Sequence, residues 1–302
     1  MRLPSFLIIG TGKAGTTSLY HLLQQHPEVF MSPVKEPNFF AFEGERPRFC
    51  GPGDDRTVNS ESIVSLEEYG KLFAGVRGEK AVGEASTRYM EISQTAARIK
   101  ARVPDVRLVA ILRNPVERAF ASYLHHRRDG REPCETFAEA LRLEERRTRD
   151  HWGFGQYRSG GFYHRQLQPY WELFTPSQLH IFLYEDFAAD PRRVLRDLYA
   201  FIGVSDGFDA DLSVPYNVSG VPRSRFVDRL LSASRASNAI KSVLPERMRD
   251  RIAAAVRARR NANLERPELA PEMRRVLIDT YREDVLRLQG RLGRDLSSWL
   301  TV

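Results

Sequence analysis

The fold is decided near the start of the chain by the stretch Phe6-Leu-Ile-Ile-Gly10-Thr-Gly12-Lys13-Ala14-Gly15-Thr16-Thr17-Ser18. Residues 6–10 have the apolar character of a buried strand, and the glycines that follow let the backbone turn tightly and come close to a ligand. The hydroxyl-bearing run then predicts the start of a helix, where free N–H groups and the helix dipole bind anions. The stretch therefore predicts a strand, a phosphate-binding loop and a helix, with Lys13 adding a positive charge.

Alternating strand and helix signals continue along the N-terminal part. They predict an α/β fold, with a parallel β-sheet flanked by helices. We expect the first helix over Thr16–Gln25 and further strands at Val29–Met31, Lys80–Glu84, Arg107–Leu112 and Gln178–Tyr184. The segment Ser32–Asn59 holds many Pro, Gly and charged residues and predicts a long loop of the kind that often carries function.

The whole chain, residues 1–302, is expected to form one domain with a helical C-terminal extension over about 223–302. A length of 302 residues lies near the upper limit for a single hydrophobic core. Spacings of three and four residues place one apolar stripe on the last helix, formed by Met273, Val276, Leu277, Tyr281 and Val285.

The composition is that of a globular protein with a basic surface. Hydrophobic residues make up 42% and charged residues 28% of the chain, which excludes a disordered protein. The formal net charge of +7 favours anionic partners such as nucleic acid, an acidic lipid surface or a polyanionic small molecule. The arginine-rich runs Arg127–Arg131, Arg142–Arg149 and Arg257–Arg260 are mostly interleaved with acidic residues, and we interpret them as solvated helix faces.

Cysteine content and hydropathy indicate a cytoplasmic protein. The two cysteines, Cys50 and Cys134, fit no metal motif, and nothing in their spacing requires a disulfide. The apolar run at Phe6–Ile9 is too short for a signal-peptide core, and no stretch approaches the length of a membrane span.

Three known kinds of phosphate-binding loop compete for the first motif. Gly10, Gly12 and Gly15 fit the G-x-G-x-x-G pattern of dinucleotide-binding loops, but no acidic residue stands at the end of a second strand as that site requires. A Walker A loop ends in Gly-Lys-Ser/Thr, whereas Lys13 here precedes the last glycine. The third kind is the loop with which sulfotransferases bind 3′-phosphoadenosine 5′-phosphosulfate (PAPS), and a glycine turn that binds no ligand is the remaining alternative.

A second motif follows the strongest strand signal of the chain. Arg107–Leu112 leads into Arg113-Asn-Pro115, and Pro115 opens a helix that carries Ser122 and Tyr123. Ligands of open α/β sheets lie beyond the carboxyl ends of the strands, and a guanidinium there suits bidentate phosphate binding. Arg113 is therefore a candidate phosphate ligand.

Together these segments resemble the sulfotransferase superfamily, in particular heparan-sulfate-type carbohydrate sulfotransferases and their soluble bacterial relatives. The first loop is similar to their PAPS loop, Gly-x-x-Lys-x-Gly-Thr-Thr after an apolar strand, and the second motif is similar to their 3′-phosphate motif. The resemblance implies transfer of a sulfuryl group from PAPS, without a metal ion, to a hydroxyl or an amine.

The resemblance also implies roles for single residues. Those expected to hold the 5′-phosphosulfate are Lys13, Ala14, Gly15, Thr16 and Thr17. Those expected at the 3′-phosphate are Arg113, Ser122 and Arg223, the last from a loose match to a basic loop of the family. Glu36, in the motif Lys35-Glu36-Pro37-Asn38-Phe39-Phe40, takes the place of the family's general base.

Two positions depart from the family pattern. The family serine falls where this chain has Ala121, so Ser122 lies one residue later and about 100° around the helix. A family lysine near the reacting centre is replaced by Ala85, which puts a heparan-like acceptor in doubt, and Arg88 offers a partial replacement of its charge.

Two other functions are weighed against sulfuryl transfer. An ATP-dependent phosphotransferase would need Mg²⁺ ligands, for which Glu185 and Asp186 are the candidates. A basic nucleic-acid-binding protein would need a recognisable motif or an aromatic-basic stripe, and the sequence has neither. The acceptor class, whether carbohydrate, lipid, polyketide or peptide, and the oligomeric state stay open.

Overall fold

The architecture comes from a computed structural model, which describes residues 2–213, 221–222, 264–265 and 267–302. The predicted residues Arg223 and Arg257–Arg260 lie outside these ranges, as does most of the expected C-terminal extension. Within them, no helix is long and apolar enough to span a membrane.

A five-stranded parallel sheet forms the centre of the fold, as predicted. Its strands are β1 (Phe6–Gly10), β2 (Val29–Met31), β3 (Ala81–Ala85), β4 (Arg107–Leu112) and β5 (Leu179–Leu183). Their order across the sheet is β2-β3-β1-β4-β5, so β1 lies in the middle with β3 and β4 on either side. The carboxyl ends of β1, β3, β4 and β5 therefore meet at one edge, where ligands of such sheets bind. The two short segments β6 (Val221–Pro222) and β7 (Leu264–Glu265) pair separately as an antiparallel ribbon.

Helices follow the strands and cover both faces of the sheet. The first six of those described are α1 (Thr16–Leu23), α2 (Phe39–Phe42), α3 (Val58–Glu61), α4 (Leu66–Lys71), α5 (Arg88–Glu91) and α6 (Thr95–Arg102). The next six are α7 (Pro115–Arg128), α8 (Phe137–Arg142), α9 (Glu144–Arg149), α10 (Tyr163–Leu173), α11 (Tyr184–Ala189) and α12 (Pro191–Ile202). The last described helix is α13 (Pro271–Leu292).

The core has two layers, one on each face of the sheet. Because successive strand residues point to opposite faces, Phe6 and Ile8 of β1 pack with α1 and α12, whereas Leu7 and Ile9 pack with α6, α7, α10 and α13. All five residues of β1 are buried, as expected for the central strand of a parallel sheet.

Several predicted boundaries shift by one or two residues, and two interpretations were wrong. The first helix ends at Leu23, and Ser32–Asn59 contains the short helix α2 as well as a turn of 3₁₀ helix. In α13, the side chain of Val276 is exposed, while Ile278 and Leu288 are buried with Leu277, Tyr281 and Val285. The real stripe is therefore rotated from the predicted one, because α13 packs against α7 and α10 at once.

The interpretation of the arginine-rich runs as solvated faces fails at Arg147. Its guanidinium is buried and forms two hydrogen bonds of 2.7 Å with the Glu132 carboxylate. Tyr157 donates a further bond of 2.5 Å to the same carboxylate. This buried pair anchors the segment around Tyr157, which forms one wall of the cleft described below. Cys50 and Cys134 are both free thiols.

A substitution at Gly83 would test how tightly the centre of the sheet is packed. It pairs with Phe6 across β1 and β3, and a Cβ atom at position 83 would lie 2.2 Å from the phenyl ring of Phe6. We expect Gly83→Ala to lower the free energy of unfolding by about 1–3 kcal/mol through overpacking. Gly290, exposed on α13 with no atom within 4 Å of its Cβ position, is the matched control. Gly290→Ala should instead stabilise by about 0.5–1 kcal/mol in urea denaturation, and equal effects at both sites would contradict this packing.

Candidate active site

The glycine loop joins β1 to α1 at the carboxyl edge of the sheet. Gly15 stands at the N-cap of α1 with φ 97°, and no side chain caps the first turn. The first N–H groups of a helix have no partner within it and point out of its end. The predicted ligands Thr16 and Thr17 form this first turn and line a cleft with Lys13, while Ala14 is fully buried beneath the loop.

The ends of β4 and β5 hold this loop in place. The Arg113 guanidinium donates a hydrogen bond of 3.2 Å to the backbone carbonyl of Lys13 and lies 4.9 Å from the centre of the Tyr184 ring. A Cβ atom at Gly15 would lie 3.3 Å from the same ring, and L side chains rarely adopt the φ of 97° found there, so both features favour glycine. Arg113 therefore stands beside the loop, on the strand end where the sequence placed it.

Lys13 carries an unusually acidic ammonium group. Its pKa is lowered from 10.5 to about 8, mainly by burial and then by the charge of Arg128, with smaller contributions from Arg113 and Lys35. Desolvation and neighbouring cations both disfavour the protonated amine, whereas a bound anion would favour it and so oppose the shift. This arrangement of buried and neighbouring positive charge favours the binding of an anion.

Glu36 lies in the loop after β2, held against the end of β3. Its backbone N–H donates to the carbonyl of Ala85 over 2.9 Å, and its carboxylate accepts a bond of 2.8 Å from the N–H of Thr87. The hydroxyl of Thr87 lies 3.3 Å from the same carboxylate. Thr87 also faces the glycine loop, since a Cβ atom at Gly12 would lie 3.7 Å from its hydroxyl oxygen. The structure thus brings Glu36 and the glycine loop together through Thr87.

The loop of Glu36 has a strained backbone. Lys13, Glu36 and Asn38 have left-handed φ values of 69°, 60° and 55°, and among the described non-glycine residues only His151 shares this feature. Such conformations cost of order 1 kcal/mol each and persist where the surroundings fix them, often at functional sites. Asn38 is fixed by its N–H, which donates 3.0 Å to Ser86.

Glu84 of β3 lies in the protein interior and does not line the cleft. Its carboxyl is fully buried and accepts hydrogen bonds from Tyr89 (2.6 Å), Tyr69 (3.2 Å) and Ser86 (2.9 Å). Burial raises its pKa to about 7, which the three hydroxyl donors partly oppose. With these hydroxyls around it, Glu84 supports Ser86, and through it Asn38, from the protein interior.

The cleft over the glycine loop encloses about 580 Å³. Lys13 and Glu36 line it, and α7 contributes Arg118, Ser122 and His125, which share one face of the helix at spacings of four and three. Burial keeps His125 neutral by lowering its pKa to about 2, and the positive charge of Lys13 acts in the same direction. Three aromatic side chains form an aromatic wall of the same cleft, namely Phe49, Trp152 and Phe154.

The two departures from the family pattern can now be located. Ala121 is buried, whereas Ser122 opens into the cleft that contains Lys13 and Glu36. Ala85 is fully buried within β3. Arg88 lines the cleft, but its guanidinium donates 2.7 Å to the carbonyl of Gly153 and lies 4.7 Å from the Phe154 ring centre, in the aromatic wall.

The two acidic residues considered as Mg²⁺ ligands have structural partners. Glu185 accepts a hydrogen bond of 2.9 Å from the N–H of Asn114, and Asp186 pairs with Arg294. Over the ranges that the structure describes, no group of three or more His, Cys, Asp or Glu side chains is arranged to hold a metal ion.

Sequence reasoning missed Lys35, Thr87 and His125 as residues of this cleft. Lys35 and Thr87 belong to segments that the sequence analysis singled out. Whether their side chains enter the cleft depends on the left-handed backbone at Glu36, which the sequence does not reveal. His125 had a usable signal, because its spacing from Arg118 and Ser122 places all three on one helical face.

The chain is similar to several characterised sulfotransferases. A mouse (Mus musculus) bifunctional heparan sulfate N-deacetylase/N-sulfotransferase 4 is 25% identical over 312 residues, covering 99% of this chain and 31% of the mouse protein. Human (Homo sapiens) carbohydrate sulfotransferase 15 is 25% identical over 346 residues, covering 99% of this chain and 55% of the human protein. The chain thus spans less than two thirds of the length of these relatives.

Solved structures show the same architecture. A sulfotransferase from Alicyclobacillus acidocaldarius aligns over the whole of both chains with a TM-score of 0.78 and 35% identity. The sulfotransferase domain from the curacin biosynthetic pathway aligns over 98% of this chain and 100% of that one, with a TM-score of 0.51 and 15% identity, and shows a likeness of fold alone.

A model of the Sulfotransferase family matches residues 4–209, which include the glycine loop, the Glu36 motif and Arg113. Together with the bacterial structure, this match confirms the predicted fold and class of enzyme. The chain belongs to the Sulfotransferase family.

Proposed function

We propose that the protein transfers a sulfuryl group from PAPS to a hydroxyl or amine of its acceptor, with Glu36 as general base and Lys13 as the cation at the leaving phosphate. One observation carries the proposal: Glu36 and the glycine loop meet in a single cleft, joined by Thr87. A proton acceptor beside an anion cradle is the arrangement that in-line group transfer requires.

The donor fits the loop by charge and geometry. The 5′-phosphosulfate would lie against the N–H groups of Gly15–Thr17 and beside Lys13, and Ala14 would shape the loop from below. Arg113, which follows β4 and lies beside the glycine loop, is the proposed ligand of the 3′-phosphate. Ser122 and Arg223 are proposed to assist it.

The chemistry needs one bond to form as another breaks. The acceptor oxygen or nitrogen attacks sulfur, the bond between sulfur and the bridging phosphate oxygen breaks, and the acceptor proton passes to Glu36. Negative charge grows on the leaving 3′-phosphoadenosine 5′-phosphate (PAP), where Lys13 and the helix N-terminus stabilise it. The protein's part is to position the reactants and to neutralise this charge.

A carbohydrate is the first acceptor class to test. Relatives carry names that state heparan sulfate and carbohydrate acceptors. The aromatic wall of Phe49, Trp152 and Phe154 offers flat apolar surfaces in the cleft that Lys13 and Glu36 also line, and such surfaces suit the faces of sugar rings. The direct test is a screen of acceptor classes with PAPS, with products detected by mass. Transfer from ATP in place of PAPS would support the phosphotransferase alternative.

Binding of PAP should depend on pH through Lys13. Because only the protonated amine attracts the 5′-phosphate, and the pKa of Lys13 is about 8, PAP affinity should fall as pH rises through 8. Calorimetry should show a loss of roughly tenfold between pH 7 and pH 9. Lys13→Arg, whose guanidinium stays charged, should remove this dependence, and Lys13→Ala should bind weakly at every pH and abolish transfer. A step near pH 8 that persists in Lys13→Ala would contradict the assignment.

Arg113 should discriminate nucleotides by their 3′-phosphate. Arg113→Ala removes the proposed charge-assisted, bidentate contact and should weaken the binding free energy of PAP by about 2 kcal/mol. The binding of adenosine 5′-monophosphate, which lacks the 3′-phosphate, should weaken far less. Arg107, exposed at the opposite end of the same strand, is the matched control, and Arg107→Ala should change neither affinity. Equal losses for the two nucleotides in Arg113→Ala would remove Arg113 from this role.

Glu36 should matter for turnover and not for nucleotide binding. Glu36→Gln keeps the size of the side chain but cannot accept the acceptor proton, so single-turnover transfer should fall roughly a hundredfold or more, with PAP affinity nearly unchanged. Glu61 is an exposed carboxylate that lines the same cleft, and Glu61→Gln should transfer normally. Intact transfer in Glu36→Gln would give the base role to another group, whereas lost PAP binding would make Glu36 structural.

A further inference from the structure

Lys35 lines the same cleft as Glu36 and Lys13, the two groups of the proposed reaction. Its ammonium lies 2.6 Å from a carboxylate oxygen of Glu36, and its side chain is 22% exposed, within the cleft that Lys13 lines. Its charge also reaches Lys13, whose pKa it lowers. The ammonium group has three N–H donors, of which the bond to Glu36 uses one.

The ion pair of Lys35 and Glu36 lies in the cleft and not on the outer surface of the protein. Lys71 and Glu67 form a pair of 2.8 Å whose side chains are 67% and 80% exposed, on the outer face of α4. Such pairs contribute little to stability. Lys35 and Glu36 are instead directed into the cleft, beside Thr87 and the glycine loop, so their charges act on whatever binds there.

We propose that Lys35 is a second catalytic cation, which contacts the sulfonate group being transferred and whose charge Glu36 masks until the acceptor proton moves. This inference rests on the proposed function. In the resting pair, the carboxylate neutralises the ammonium. As the acceptor proton passes to Glu36, the carboxylate becomes a neutral carboxyl, and the full charge of Lys35 faces the sulfonate. Lys35 keeps its own protons throughout, so the bonds that form and break are those of the proposed transfer.

The timing of this change determines its effect. The charge of Lys35 becomes available only as negative charge spreads over the sulfonate and leaving oxygens, so it stabilises the transition state more than the bound donor. Loss of Lys35 should therefore lower kcat with little change in donor affinity.

A kinetic comparison tests the first half of the inference. Lys35→Met should lower single-turnover transfer about tenfold or more and leave PAP affinity within about twofold, while Lys35→Arg, which keeps the charge, should recover most of the rate. Hydrolysis of PAPS to PAP and sulfate, with water as acceptor, gives a second measure of the same step. Lys71→Met is the matched control and should change nothing.

Equilibrium binding tests the masking without any turnover. In Glu36→Gln the carboxylate is gone, so Lys35 is unmasked and should bind the sulfonate of PAPS severalfold more tightly than wild type does, with PAP, which lacks the sulfonate, unchanged. The gain should disappear in the double variant Lys35→Met/Glu36→Gln. Calorimetry of PAPS and PAP on both variants measures it.

The outcomes separate this inference from the function on which it rests. Normal transfer by Lys35→Met, or equal PAPS affinity in the single and double Glu36→Gln variants, would overturn the role of Lys35 while wild type still transfers sulfuryl groups. Failure of wild type to bind PAPS would instead overturn the proposed function. A loss of PAP binding in Lys35→Met would show that Lys35 shapes the loop and is not a catalytic cation.

Discussion

The cleft depends on the hydrogen bonds that fix the loop after β2 to the end of β3. Ser32 donates its N–H to Gly83 over 2.8 Å, and Glu36 donates to Ala85 over 2.9 Å, so the loop continues the sheet beyond the last paired residue of β2. The N–H of Thr87 then binds the Glu36 carboxylate at the point where β3 gives way to α5. Without these contacts, Glu36 would be an exposed glutamate with no defined relation to the glycine loop.

This arrangement concentrates both strain and like charge at one place. Lys13, Glu36 and Asn38 have left-handed backbones, and burial together with nearby cations lowers the pKa of the Lys13 amine. Each feature costs stability, and a bound polyanion would offset the electrostatic part. The buried carboxyl of Glu84 and its three hydroxyl partners support the strained loop from within the core, where no ligand reaches.

Much of this could be predicted from the sequence because the decisive patterns are local. The apolar run of β1, the glycine loop and the strand that ends at Arg113 each occupy a few consecutive residues, and all three were located correctly. A parallel sheet predicts that the residues after β1 and β4 lie at the same edge. It does not predict which atoms touch there, such as the Arg113 guanidinium and the carbonyl of Lys13.

The rest could not be predicted, because it depends on contacts between distant segments. Thr87 approaches Glu36 from 51 positions away, and Arg147 is drawn into the core by Glu132, against the expectation from its charged neighbours. Val276 fits the helical periodicity yet is exposed, because α7 and α10 pack against a different face of α13. Spacing along the chain specifies a helical stripe but not which partner it meets.

The most direct test of this account is a crystal structure of the protein with PAP. We expect the 5′-phosphate at the N-terminus of α1, within hydrogen-bond distance, about 3 Å, of the Lys13 amine and the loop N–H groups. The 3′-phosphate should lie on Arg113, and the Glu36 carboxylate should face the open side of the 5′-phosphate. A nucleotide bound elsewhere, or one with its 5′-phosphate turned away from Lys13 and Glu36, would contradict it.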